Sequence, residues 1–406
     1  MRIWIPSRSL LFAGLRGHRP RRYSAVTNNV ERVNIRVGSS GDMTIDLHNI
    51  AKLSSQSPLL VYLPPFSTPY TKTPVWLPRF MLGKPTAVIN YRWDGSYPFQ
   101  TKKAAALAST KKSDEEGFSP VLSWPAPIHD TSMAYNWIVR NLGPSGFNRR
   151  NIYLYGSYLG ASLAMSLALT EAHPYQRTAV RGCIALNGIY NWTRFLPDHP
   201  INKPPEPGST SEKGSSRPND PLFLKLKQHV EALFVSPSGL FDPFASASLF
   251  FYTPELLVPP DFTTSALSPD ASLLANVSLP NAVTGEPTLI LRHPEKIWNV
   301  FPPMASALEI PQTLLLYTTP HSSLRGQQEQ KNKENSFQTQ ARELGGVMRC
   351  RLYKGQQKER NKFDDDQWED EPDGAVQVHN VGPSYASYAF NRKGEELAAT
   401  WLEDHL

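Results

Sequence analysis

The stretch Ile152-Tyr153-Leu154-Tyr155-Gly156-Ser157-Tyr158-Leu159-Gly160-Ala161-Ser162 constrains this chain more than any other. A run of β-branched, aromatic and leucine residues ends at Gly156, and small and apolar residues continue from Gly160 to Glu171. Two glycines four residues apart allow a reversal too tight for larger side chains. A strand that turns straight into a helix implies a crossover to a further, parallel strand. By register from Gly156 and Gly160, the side chain lifted at the turn is that of Tyr158, beside the unpaired N–H groups of the helix start.

The rest of the chain repeats this alternation. Arg32–Val37 and Asp42–Leu47 alternate polar and apolar residues around Gly38–Gly41, a hairpin signal. Leu59–Leu63 and Thr86–Tyr91 are short apolar runs that read as buried parallel strands. Asp130 is placed to cap a helix carrying Met133, Trp137, Ile138 and Leu142, which Gly143-Pro144 stops. Asn151–Tyr155, Ala179–Leu186, Ile310–Tyr317, Met348–Tyr353 and Val376–His379 read as further strands. Helices are expected over Leu222–Phe234, over Gln327–Leu344 up to Gly345-Gly346, and over Lys393–His405. The pattern predicts an α/β domain over residues 32–405: a mostly parallel central sheet with helices on both faces and an N-terminal hairpin. Residues 196–310, proline-punctuated, read as an irregular cap or insertion, with a Pro/Ser/Gly/Lys-rich part at 203–220. Residues 355–373 read as a charged, solvated insert.

Charge narrows the class of partner. The 406 residues carry a formal +6, but Arg2, Arg8, Arg16, Arg19, Arg21 and Arg22 all lie in the first thirty residues, which contain no acid. Taking these six from the 42 Lys and Arg leaves 36, equal to the 36 Asp and Glu. An Arg-rich, acid-free, Ser-containing N-terminus has the composition of a mitochondrial transit peptide, residues 1–23, and Arg21-Arg22-Tyr23-Ser24 resembles a matrix-processing site cut after Tyr23. The expected location is therefore the mitochondrial matrix; a basic nucleic-acid-binding arm is the alternative. The neutral remainder leads to no expectation of a nucleic-acid partner. No apolar run is long enough for a transmembrane helix. Cys183 and Cys350 alone form neither a disulfide framework nor a metal site, and no cofactor fingerprint occurs, so no cofactor or metal is expected.

The order of elements, with Leu59–Phe66, Ile89-Asn-Tyr-Arg92, Pro127-Ile-His-Asp130 and residues 152–164, resembles the α/β-hydrolase fold, most of all its hormone-sensitive-lipase/carboxylesterase branch. The resemblance makes Gly156, Ser157, Tyr158, Leu159 and Gly160 the nucleophile elbow, with Tyr158 where that family has serine. A phenol with a pKa near 10 is a poor acyl-transfer nucleophile. Ser157 is the adjacent candidate, predicted to point away from the tip; Ser162 falls in the helix. The oxyanion loop would be Pro64-Pro65-Phe66, whose prolines have no N–H to donate, leaving the N–H of Leu159. The loop in the position of the family's acid, Thr318–Ser323, has His321 but no carboxylate; Asp242 is a substitute that reads equally as a turn residue. The loop in the position of the family's base, Val381–Tyr385, has no histidine, and His379 precedes it.

Two functions follow as expectations. One is a pseudoenzyme: a binding or structural module with a protein partner or matrix assembly, or with a small acyl or ester ligand in the old pocket. The other is a divergent carboxylesterase-, lipase- or thioesterase-like hydrolase with Ser157 or Tyr158 as nucleophile and His379 as base.

Overall fold

The computed structural model describes residues 30–38, 41–66, 75–93, 123–202, 306–319, 336–363, 374–384 and 388–406, with shorter stretches between 227 and 303. The expected transit peptide, residues 203–220, most of Leu222–Phe234 and residues 364–373 lie outside them.

Eight strands make one sheet. They are β1 (Val30–Arg36), β2 (Asp42–His48), β3 (Leu59–Leu63), β4 (Thr86–Asn90), β5 (Arg150–Ser157), β6 (Thr178–Leu186), β7 (Gln312–Thr319) and β8 (Val376–Pro383). The spatial order is β1-β2-β4-β3-β5-β6-β7-β8. β1 pairs antiparallel with β2, and β2 with β4; all other neighbours are parallel. The near-continuous apolar runs of β3, β4 and β5 are buried on both faces, as parallel strands require.

Side chains of successive residues feed two separate cores. Leu59, Val61, Leu63, Ile152 and Leu154 join one, against α1 (Ala126–Asn141), α2 (Leu159–Glu171) and α3 (Phe337–Phe363). Leu60, Tyr62, Tyr153 and Tyr155 join the other, against α4 (Arg392–His405) and the single turn Arg79–Met81. Helix α2 packs apolar residues on every side, so it lies inside the domain rather than on its surface. Among the described residues no helix is long and apolar enough to cross a membrane.

Three local expectations are corrected. Asp130 is not an N-cap: the helix starts four residues earlier, where Pro127 supplies a pre-set first turn. Asp130 is instead fully buried and clasps Arg92, accepting from its N–H (2.8 Å), Nε (2.9 Å) and Nη2 (2.6 Å). Removing one member of such a buried pair strands the other charge and costs about 3–5 kcal/mol. Second, Gly345-Gly346 does not end a helix and Met348–Tyr353 is not a strand, because α3 runs unbroken from Phe337 to Phe363. A Cβ at Gly345 would stand 2.5 Å from Val378 Cγ2, so the glycine admits close packing on β8. Burial of Leu344 and Met348 outweighs the roughly 1 kcal/mol per glycine that a helix interior loses. Third, residues 355–363 of the expected charged insert continue this helix. Within α3, Gln340 is fully buried.

Gly160→Ala would drive a Cβ into the carbonyl oxygens of Leu63 and Pro64. Gly346 is exposed with open space around it. Urea unfolding followed by circular dichroism should therefore show Gly160→Ala destabilised by about 3 kcal/mol or more. Gly346→Ala should be stabilised by about 0.5–1 kcal/mol.

Candidate functional site at the elbow

The elbow is set by two close approaches. A Cβ at Gly156 would overlap the Gly160 carbonyl, and one at Gly160 would overlap the last carbonyls of β3. The start of α2 is thereby pressed onto the ends of β3 and β5. Tyr158, at the bend, has φ 54° and ψ −117°. A non-glycine residue with positive φ outside the left-handed helical well costs about 1–3 kcal/mol, and such strain persists only where the surroundings enforce it. Here Tyr158 N–H bonds Leu186 O at 2.9 Å, and Tyr158 O accepts from the N–H of Ala161 at 3.2 Å.

The strand order, with two antiparallel N-terminal strands followed by parallel crossovers, and the strained strand–turn–helix after the fifth strand decide the architecture. The chain has the α/β-hydrolase fold. No family model and no curated protein matches it. Among solved structures it is similar to carboxyl esterase 2 of the mycorrhizal fungus Tuber melanosporum, at 12% identity over 94% of this chain and 87% of that one, TM-score 0.42. It is similar to EstE1, a thermophilic carboxylesterase cloned from a metagenomic library, at 11% identity over 93% and 89%, TM-score 0.42. It is also similar to the Francisella virulence factor BioJ, at 9% identity over 93% and 84%, TM-score 0.36. The fold assignment rests on the strand order and the elbow.

In this hydrolase fold the residue at the elbow tip is Tyr158, 1% exposed, within the apolar cluster that includes Tyr91, Trp93, Tyr190 and Trp192. Burial pushes its phenol far above the ordinary value, so the oxygen is a neutral hydroxyl at physiological pH. Ser157 lies on the other face of the sheet, completely buried beside the phenols of Tyr62 and Tyr155, whose upward shift by burial its hydroxyl opposes. Ser162 is buried in α2, donating to Ile189 O at 2.6 Å.

The oxyanion side offers acceptors. The Pro64 carbonyl accepts from Tyr91 Oη at 2.6 Å, and Pro64 and Pro65 have no N–H. Just past the end of β6, Asn187 is held at φ 51°; its Nδ2 donates to Thr318 Oγ1 of β7 at 2.8 Å and its Oδ1 accepts from Thr318 N–H at 2.9 Å. A neutral amide–hydroxyl pair thus closes the ends of β6 and β7, where the resemblance puts the acid. His321, Ser322, Ser323 and Tyr385 lie outside the described residues.

Asp242 ends the short turn Pro237–Phe241. Its Oδ1 accepts from Phe244 N–H at 2.9 Å and its Oδ2 from Trp124 Nε1 at 3.1 Å. Burial pushes its carboxyl up, and those two bonds and the charge of His129 oppose the rise. His379 sits within β8, opposite Leu316, exposed, with Nε2 3.3 Å from Gln377 Oε1. Partial burial and the charges of Arg349 and Lys393 push its imidazole down. No hydrogen bond joins any two of Ser157, Asp242 and His379.

One feature of the site went unread in the sequence. Open α/β sheets ordinarily carry ligands in a crevice beyond the carboxyl ends of their strands. Here Trp93, just past β4, and Trp192, just past β6, lie there with Trp124 and Phe234. Ring centroids are 5.6 Å apart for Trp93–Trp124, 6.1 Å for Trp93–Trp192, 5.7 Å for Trp93–Phe234 and 5.0 Å for Trp192–Phe234. Leu233 O accepts from Trp93 Nε1 (3.1 Å) and from Trp124 N–H (2.8 Å), drawing the irregular segment down onto the sheet end. Tryptophans placed just beyond strand ends were the available signal.

Tyr62, Tyr91, Tyr155, Tyr158 and Tyr190 all have phenols raised by burial. A raised folded-state pKa contributes stability that is fully present below the unfolded value near 10 and is lost as pH rises above it. In a titration read at 295 nm, these five phenols should ionise only in a cooperative step that coincides with loss of the circular dichroism signal. A gradual ionisation of all sixteen tyrosines with structure intact would contradict their burial.

Proposed function

We propose that this chain is a mitochondrial protein that keeps the hydrolase fold without ester hydrolysis and serves as a binding or structural module, docked to a protein partner in the matrix. The observation that carries the reading is Tyr158: a buried, neutral phenol holds the strained position at which this fold exposes its nucleophile. Three further features support it. The oxyanion side presents carbonyls and prolines, an anion's wrong partners. Asn187 and Thr318 satisfy one another where an acid would orient a base. Ser157 and His379 engage separate surroundings. Members of a catalytic triad act as a unit, so a site lacking several of them retains little rate enhancement. The Arg-rich, acid-free first thirty residues support the mitochondrial address.

Purified protein treated with a fluorophosphonate probe should take up no covalent label and should not release p-nitrophenol from short esters above the buffer rate. Tyr158→Ser should stay equally inactive, since a hydroxyl alone restores neither base nor oxyanion donors. Stoichiometric labelling that disappears in Ser157→Ala would overturn the reading. For the address, residues 1–30 fused to a fluorescent reporter should carry it into mitochondria, and the mature N-terminus should be Ser24; a reporter that stays cytosolic contradicts this.

A further inference from the structure

At the end of the sheet opposite the elbow, two loops meet. One, Gly143–Arg149, leads into β5; the other, His173–Arg177, leads into β6. They are tied together: Arg177 donates from Nη2 to Pro144 O (2.9 Å) and from Nε to Asn148 O (3.3 Å), and Arg150 N–H bonds Arg177 O at 2.7 Å. Arg181 stiffens the second loop by donating to the carbonyls of His173 (3.0 Å), Pro174 (3.2 Å) and Gln176 (3.2 Å). Each loop displays one aromatic ring to solvent: Phe147, fully exposed, and Tyr175, 80% exposed. Both rings keep most of their surface open to solvent on loops held by these hydrogen bonds.

The charge around them is one-sided. Among the described residues, Arg140 and Arg149 are exposed and have no hydrogen-bond or ion-pair partner, while Arg177 and Arg181 bond carbonyls rather than carboxylates. Among the described residues the adjoining acids are Glu171, partly buried with its carboxyl pushed up by that burial, and Glu309, whose N–H bonds Ala172 O at 3.0 Å. Formal neutrality averaged over residues 31–406 conceals this local excess of guanidinium.

We propose that this face binds single-stranded nucleic acid, unpaired bases stacking on Phe147 and Tyr175 and phosphates lying against Arg140, Arg149 and Arg177. The two features together choose the occupant. An acidic peptide satisfies the guanidinium groups and leaves the rings wet; an apolar protein surface covers the rings and strands the charges. A single strand carries a stackable plane and an anion in each nucleotide. The face is independent of the elbow, so this binding stands or falls apart from the absence of hydrolysis.

The test uses the full-length chain with fluorescein-labelled twelve-nucleotide oligouridylate and oligothymidylate, read by anisotropy across a salt series. The expected result is binding of at least one strand, weakened at least about tenfold in the Phe147→Ala, Tyr175→Ala double variant. Arg140→Gln with Arg149→Gln should reduce the slope of log affinity against log salt by about 1.4, the value for two lost phosphate contacts. The Arg-rich N-terminus is present in every protein compared, so binding through it alone would leave both variants unchanged, and that result overturns the proposal. So does the absence of binding to either strand at low salt, or preferential binding of labelled polyglutamate.

Discussion

The structure turns on the absence of two Cβ atoms. Gly156 and Gly160 let the first turn of α2 settle against the carbonyls that end β3, leaving no space for any larger residue. With α2 fixed, Tyr158 is forced into its positive-φ bend, and α2 becomes the buried partner of β3, β5 and β6. The strain of the bend is borne by the packing around it, since neither glycine itself adopts a positive φ.

A hydrolase of this architecture uses that bend to push a nucleophile out toward substrate. Here the same geometry points inward in effect, because the space beyond the strand ends is filled. Trp93, Trp124, Trp192 and Phe234 close over it, and Leu233 is hydrogen-bonded to two of the indole residues. Each residue that departs from a catalytic pattern has a positive structural role. Tyr158 fills apolar volume, Pro64 accepts from Tyr91, and Asn187 and Thr318 satisfy each other. The Pro64 carbonyl and the Asn187–Thr318 pair are satisfied internally, whereas Trp192 Nε1, above the strand ends, is buried without a hydrogen-bond partner among the described residues.

The fold was legible because periodicity and strand-end punctuation report burial locally. Leu59–Leu63 is a continuous apolar run, Thr86–Asn90 and Ala179–Leu186 are mostly apolar, and the N-terminal hairpin alternates around glycines. Misreadings came where a local rule met a tertiary contact. Gly345-Gly346 has the appearance of a helix stop, yet α3 continues, because Gly345 admits Val378 and the helix buries Leu344 and Met348. Asp130 has the character of a cap, yet its carboxylate is more strongly satisfied by the guanidinium of Arg92, thirty-eight residues away. The Oε1 of Gln340 accepts from the N–H groups of Tyr190 (3.0 Å) and Asn191 (2.8 Å), a partnership no helical periodicity encodes.

For the site, the identity of each residue was available in advance and its surroundings were not. That the elbow carries Tyr158 and that two prolines follow β3 are properties of the linear chain, and the strand order gives them their places. What only the tertiary structure decided is that Ser157 faces the opposite core from Tyr158, that aromatic rings from four distant segments occupy the space above the strands, and that Asn187 reaches Thr318. The physical reason is range. Backbone conformation and alternation act over a few residues, whereas which side chains share a buried volume depends on segments more than a hundred residues apart meeting at one sheet end.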